Sequence, residues 1–283
     1  MEIKRVGVVG CGLMGSGIAE QAARSGFDAV VREINDEVLK AGRARVMKSM
    51  GRGLARGKIG QEEHDTALGR LTFSTELSDL ADCDMVIEAA TENMELKKRI
   101  FKALDKTVKP DAILASNTSS LSIAEIASAT NRPEKVLGIH FFNPVPLMPL
   151  IEYVRGFLTS DETMNAAREF GAALGKNTVE SRDRPGFIVN RLLIPYLLDA
   201  INVLEQGVAT REDIDKAIHL GLNHPMGPLT LSDFVGLDTL LFIADAMYDE
   251  FKDARYAAPP LLRRMVTAGY LGRKTERGFY DYR

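Results

Sequence analysis

Val6-Gly7-Val8-Val9-Gly10-Cys11-Gly12-Leu13-Met14-Gly15 decides how the first part of the chain is read. Val6 to Val9 is a short apolar run of the kind that forms a strand buried in a parallel sheet. The glycines after it are spaced G-x-G-x-x-G, and a helical pattern continues through Ala23 until Gly26 stops it. Ala29-Val30-Val31 reads as the next strand, ending at Glu33, eighteen residues after Gly15. Strand, glycine turn, helix, strand and acid at that distance form a Rossmann dinucleotide fingerprint. The glycines allow a tight turn and bring the backbone close to a pyrophosphate at the helix N-terminus. Glu33 is then the acceptor for the adenosine ribose hydroxyls. Cys11 reads as a small filler of the turn, not as a nucleophile. NAD is the expected cofactor, because Glu33 repels a 2′-phosphate. Arg32 beside it keeps NADP as the alternative.

Alternation of strand and helix continues outward from this unit. Asp84 to Glu88 is a strand, and Glu95 to Val108 is a helix ended by Pro110. Ile113-Leu114-Ala115 is the next strand, running into Ser116-Asn117-Thr118-Ser119-Ser120. Ligands of open parallel sheets lie beyond the carboxyl ends of the strands. Glu92, Asn117 and Ser119 are therefore expected near the nicotinamide half of the cofactor. Ser122 with Glu125 reads as a capping box. Val136 to Ile139 is a further strand leading to His140, and Leu150 to Val154 is another apolar run, carrying Glu152. Pro144, Pro146 and Pro149 between them bar both helix and central strand. An imidazole and a carboxylate, each beside an apolar run and joined by a stiff connector, can serve as a base and the group that orients it. Asp161 to Leu174 is a helix and Thr178 to Glu180 a last strand.

The stretch from Val38 to Gly60 carries seven basic residues and no acid. Lys48, Arg52 and Arg56 recur every four residues and share one face if the segment is helical. Their mutual repulsion points to a polyanionic partner. The whole chain does not: 283 residues with a net charge of −3 and 45% apolar composition describe a globular protein with no general attraction to nucleic acid or membrane. Two cysteines make no disulfide framework, so a reducing, cytoplasmic setting is expected. No signal-peptide pattern or apolar run of transmembrane length is present. After Arg184-Pro185-Gly186 the alternation stops and the chain becomes helical. Phe187 to Gln206 is a long apolar helix with Asn190 in its first turn and a kink expected at Pro195. The helices from there on are too apolar to be solvated all round, so a dimer interface is expected. The expected fold is α/β: a Rossmann-type, mostly parallel sheet domain over 1–184 and an all-helical dimerisation domain over 185–283.

These stretches resemble the short-chain L-3-hydroxyacyl-CoA dehydrogenases, a family that includes bacterial 3-hydroxybutyryl-CoA dehydrogenases. The resemblance covers essentially the whole chain. It rests on Val9 to Ala19, Ser116-Asn117-Thr118-Ser119-Ser120, His140-Phe141-Phe142-Asn143-Pro144-Val145-Pro146, Arg184 to Arg191, and His224-Pro225-Met226-Gly227-Pro228. It implies a homodimer that oxidises an L-3-hydroxyacyl-CoA to the 3-ketoacyl-CoA, or runs the reverse reduction, with the site between two domains. Its catalytic pair falls on His140 and Glu152, its substrate-contacting serine on Ser119 and its asparagine on Asn190. Its cofactor contacts fall on Gly10, Gly12, Leu13, Met14, Gly15, Glu33, Glu92, Lys97, Ser119, Asn143 and Lys274. Its coenzyme A contacts fall near Ser49 and Arg56, where the family often has lysine. Arginine keeps the charge. The implied chemistry needs no metal.

Two other readings use the same residues. One is an NAD-holding redox sensor without turnover. The other is a dehydrogenase of a free 3-hydroxy acid, which would need no basic anchor at 40–58. If Glu33 governs cofactor choice, kcat/KM should be higher with NADH than with NADPH. Equal values would mean that Arg32 outweighs it.

Overall fold

The computed structural model describes residues 2–283. The chain divides into two compact units, 1–184 and 185–283.

The first unit opens with β1 (Arg5–Val9), α1 (Leu13–Arg24), β2 (Asp28–Arg32), α2 (Asp36–Ala55), α3 (Gln61–Gly69) and β3 (Leu71–Ser74). Then come β4 (Met85–Glu88), α4 (Met94–Thr107), β5 (Ile113–Ser116) and α5 (Ile123–Ala127). It closes with β6 (Val136–Phe141), β7 (Leu150–Arg155), α6 (Asp161–Ala173) and β8 (Asn177–Arg182). The eight strands form one sheet in the order β3-β2-β1-β4-β5-β6-β7-β8. The first six run parallel, β7 turns back against β6, and β8 follows β7. Strand order reverses at β1, which puts the glycine turn at a topological switch point.

β1, β4 and β5 read as continuous apolar runs because both of their faces are covered. Val6, Val8, Met85, Ile87, Ile113 and Ala115 share one buried cluster with Ile18 and Ala19 of α1. Each large side chain of this kind contributes about 1.5–3 kcal/mol by leaving water. Helix starts are set by side-chain caps: Asn35 accepts from the Val38 amide, Asn93 from Leu96 and Ser160 from Thr163. Ser122 caps α5 as its spacing predicts, but the Glu125 carboxylate reaches Lys98 instead of turning back.

Several boundaries differ from the sequence reading. α3 and β3 lie in the stretch that apolar patterning left blank. β3 is a short strand at the sheet edge, half-buried, and its Thr72 and Ser74 dilute the apolar signal. β6 runs on to Phe141, so His140 is a strand residue and not the end of one. α2 stops at Ala55, which leaves Arg56 as its C-cap. Lys48 and Arg52 remain one turn apart on the helix, and Arg52 Nε donates to the Lys48 carbonyl at 3.3 Å.

The second unit is helical: α7 (Val189–Glu205), α8 (Arg211–Gly221), α9 (Pro228–Val235), α10 (Leu237–Phe251) and α11 (Pro260–Thr267). α7 begins at Val189 and not at Phe187. Phe187 has φ +47°, a left-handed value that no residue inside a helix adopts. The helix continues through Pro195 to Glu205. Ile194, Leu197 and Ile201 of α7 pack with Leu229, Leu240 and Met247. Two buried aspartates fasten this unit. Asp215 accepts from the Leu229 and Thr230 amides at the start of α9. Asp233 accepts from the Phe279 and Tyr280 amides, both at 2.9 Å, and from the Tyr282 hydroxyl at 3.0 Å. Gly278 permits that approach, since a Cβ there would stand 1.9 Å from Asp233 Oδ1. Among the described residues no helix is long and apolar enough to cross a membrane.

Asp233→Ala leaves two tail amides without their acceptor in a buried setting. It should destabilise the protein by about 3 kcal/mol, read as a fall in melting temperature. An unchanged melting temperature would mean that the tail is held by packing alone.

Candidate active site

The glycine turn between β1 and α1 is built tightly. Gly10 has φ +92°, and a Cβ on it would meet the Ala90 backbone at 2.6 Å. A Cβ on Gly15 would fall 1.8 Å from the Gly10 carbonyl oxygen. Around Gly12 there is open space, with nothing within 4 Å of a built Cβ. α1 starts at Gly12 with no side-chain cap and no acid in its first turn. Its leading N–H groups, with the positive end of the helix dipole, are therefore available to an anion. That is the fit a dinucleotide pyrophosphate needs. Leu13 sits beside the opening, 65% exposed.

Glu33 steadies this turn. One carboxylate oxygen accepts from the Cys11 amide and the other from the Ile34 amide. A carboxylate has about four lone-pair positions, so these bonds leave acceptor capacity for ribose hydroxyls. The Cys11 thiol is pushed up to about 12, first by burial and then by the Glu33 charge, which leaves it protonated and inert at neutral pH. Arg32 directs its Nε to the Thr75 carbonyl at 3.3 Å.

At the ends of β4 and β5 a connected set of charges was not legible beforehand. Glu88 and Lys97 are fully buried and paired at 2.5 Å. Glu88 also accepts from Ser116 Oγ and from the Ala90 amide. Lys97 lies 3.7 Å from Glu92 as well. Glu92 in turn gathers the turn after β5: Oε1 accepts from Thr118 Oγ1 at 2.6 Å, the Ser119 amide at 2.9 Å and Ser119 Oγ at 3.2 Å. Both thus make their bonds within the protein in this structure, Glu92 to the 118–120 turn and Lys97 to the carboxylates of Glu88 and Glu92. Asn117 does likewise, its Oδ1 accepting from the Phe141 amide next to His140. Glu92, Asn117 and Ser119 were expected here from their places beyond the strand ends, and the resemblance added Lys97. Glu88, at the last position of a buried strand, carried a signal in its strand-end position alone.

β6 and β7 bring the two distant candidates together. His140 and Glu152 are directly opposed in the antiparallel register. His140 Nδ1 stands 2.7 Å from Glu152 Oε2. Glu152 is fully buried and His140 is 7% exposed. A buried carboxylate on Nδ1 holds the imidazole in one orientation and favours the tautomer with hydrogen on that nitrogen. Such a pair is a poor way to gain stability, which favours a chemical purpose.

The remaining candidates are more scattered. Ser49 lies near Glu20 of α1, whose carboxyl is pushed above its usual range chiefly by burial, with the Ser49 hydroxyl opposing the rise. Lys48 and Arg52 are on α2 near it and Arg56 just beyond. Asn143 is exposed in the connector between β6 and β7. Asn190, in the first turn of α7, and Lys274, paired with Asp238, belong to the helical unit.

A sheet whose first crossover opens an uncapped helix to phosphate, and whose sixth strand carries a carboxylate-oriented imidazole next to its last residue, is that of a nicotinamide-dependent dehydrogenase. More narrowly, the chain belongs to the 3-hydroxyacyl-CoA dehydrogenase family. Residues 5–184 match its NAD binding domain and 186–282 its C-terminal domain. The chain is 55% identical over 282 residues to the 3-hydroxybutyryl-CoA dehydrogenase of Mycobacterium tuberculosis, covering 99% of each chain. It is 50% identical to that of Bradyrhizobium diazoefficiens, covering 99% of this chain and 96% of the other. The crystal structure of Mycobacterium tuberculosis FadB2 superposes with a TM-score of 0.98 at 54% identity, over 100% of both chains. NAD is the cofactor of the family's first domain.

Removing the Glu92 carboxylate strands the donors of the 118–120 turn. Glu92→Ala should lower stability by about 1–3 kcal/mol, and Glu92→Gln, which keeps one acceptor, by less. Equal melting temperatures for the two variants and wild type would show that the turn is held by other bonds.

Proposed function

We propose that the protein interconverts an L-3-hydroxyacyl-CoA and the 3-ketoacyl-CoA with NAD(H), and that its substrate is short, such as 3-hydroxybutyryl-CoA. The observation that carries this reading is the 2.7 Å contact of His140 Nδ1 with the buried Glu152 carboxylate. Relatives at 50–55% identity bearing the 3-hydroxybutyryl-CoA dehydrogenase name support the substrate.

When bound, the nicotinamide supplies the hydride acceptor or donor at C4. The residues of the chain handle the rest. His140 Nε2 takes the proton of the C3 hydroxyl during oxidation and returns it during reduction. Glu152 stabilises the imidazolium formed in between. Ser119, held by Glu92 through both amide and hydroxyl, hydrogen-bonds the C3 oxygen and lies beside the cofactor. Asn190 holds the thioester end of the substrate. The cofactor's pyrophosphate lies on Gly10, Gly12, Leu13, Met14 and Gly15, and its ribose on Glu33. Its adenine is assigned here to a cavity of about 290 Å³ at the ends of β1 and β2, lined by apolar Val9, Leu77, Leu96 and Ile100 and by Arg32 and Arg99. Lys97, Asn117, Asn143 and Lys274 complete the cofactor set proposed here. The coenzyme A phosphates take Lys48, Arg52 and Arg56, with Ser49 beside them. The helical unit is proposed as a homodimer surface, supported by exposed Leu192, Val208, Leu220 and Phe242.

His140→Gln should cut kcat for acetoacetyl-CoA reduction by about 10²–10⁴-fold while leaving NADH affinity nearly intact. Turnover within a few-fold of wild type would remove this histidine from the mechanism. Glu152→Gln removes the anion that favours the imidazolium, so in the oxidation direction the pH profile of kcat should move to lower pH. An unshifted profile would leave Glu152 as a structural carboxylate.

A further inference from the structure

Lys176 takes no part in the reaction proposed above, yet its setting is unusual for a lysine. It lies half-buried in the turn between α6 and β8. Its ammonium donates to the Val145 carbonyl at 2.7 Å and to the Met148 carbonyl at 2.8 Å. Among the described residues no carboxylate is paired with it, and burial holds its pKa below the usual lysine range, with nearby Arg24 adding to the effect. Withdrawing a cation from water without a counter-ion costs free energy, so the two carbonyls are what keep it there.

Both carbonyls belong to 142–149, the connector that joins the strand of His140 to the strand of Glu152. Pro144, Pro146 and Pro149 carry no N–H, so this segment cannot tie itself down as a helix or strand would. Its own backbone bonds are few: the Leu147 and Met148 amides both donate to the Pro144 carbonyl, and Asn177 donates to that of Pro149. The connector is pinned from a second side as well. Val145 is buried against Gly17 of α1, where a Cβ would stand 2.9 Å from Val145 Cβ. That helix is the one whose N-terminus is open to phosphate. The connector also lies at the carboxyl end of β6, the edge where parallel sheets bind their ligands.

We propose that Lys176 is a positioning residue for the cofactor: by clamping the Val145 and Met148 carbonyls it fixes the 142–149 connector against α1, as a wall for the nicotinamide half. The inference rests on the reading that NAD(H) binds along this edge. The dyad itself is held by strand pairing and does not depend on the clamp.

The test compares full-length Lys176→Met and Lys176→Arg with wild type. NADH affinity is read by fluorescence titration, the connector by hydrogen–deuterium exchange, and the dyad by the pH profile of kcat with acetoacetyl-CoA. Lys176→Met should weaken NADH binding about ten-fold, as expected for losing charge-assisted hydrogen bonds. It should speed exchange at Leu147 and Met148 and leave the pH profile unmoved. Lys176→Arg, which keeps charge and donors, should recover to within about three-fold of wild type. Should Lys176→Met fail to fold, Lys176→Gln, which retains an amide donor, is read by the same measures. Wild-type NADH affinity together with wild-type exchange in the connector would overturn the proposal. Affinity and exchange need no turnover, so a wild type that binds NADH but fails to reduce acetoacetyl-CoA counts against the dehydrogenase reading alone.

Discussion

β7 runs back against β6, and the register of that reversal sets Glu152 opposite His140. A slip of one residue would turn the carboxylate to the other face of the sheet. The pairing is specified by packing along its length. Gly138 leaves room for Val154, whose Cβ would otherwise come 2.7 Å from a Cβ at that position. Ile139, Phe141, Ile151 and Tyr153 are buried in the main core. Apolar burial therefore supplies the free energy, and the contact of carboxylate with imidazole is carried by it. Low local dielectric then strengthens the contact between carboxylate and imidazole.

Around that pair the rest of the site is assembled from strand ends lying along one edge. β1, β2, β4, β5 and β6 are parallel, so the glycine turn, Glu33, Glu88, Asn117 and His140 all come at their carboxyl ends. The loops leaving those ends cannot satisfy their own backbone groups, and acids at or just beyond the strand ends do so. Glu33 holds the glycine turn through the Cys11 amide, Glu88 holds the segment after β4, and Glu92 holds the serine turn. Lys97 sits between Glu88 and Glu92 and links two of these anchors. Asp183 extends the pattern, accepting from the Ile123 and Ala124 amides and from Ser122 Oγ at the start of α5. The helical unit uses the same device in Asp215 and Asp233. Such acids position backbone with short, charge-assisted bonds. They act as fixed struts where irregular chain must be rigid.

Local signals in the chain were enough for much of this. The glycine spacing, the acid after β2 and the apolar runs of β1, β4 and β5 follow from constraints within a few residues, and each appears in the structure where its pattern puts it. The Asp161 to Leu174 helix and the change to helical structure after Arg184 are legible for the same reason. Weak local signals failed: β3 is an edge strand with polar residues, and Phe187 looked helical although its backbone is left-handed. What no local pattern contains is which distant groups meet. His140 and Glu152 are twelve positions apart in the chain, and only antiparallel pairing brings them to 2.7 Å. The Glu88–Lys97 pair, the grip of Glu92 on Ser119 and the bonds of Lys176 to the connector likewise depend on elements packed side by side. Short-range sterics determine turns and helices from the sequence itself. Long-range contacts need the burial of whole strands and helices, and that was decided only by the tertiary structure.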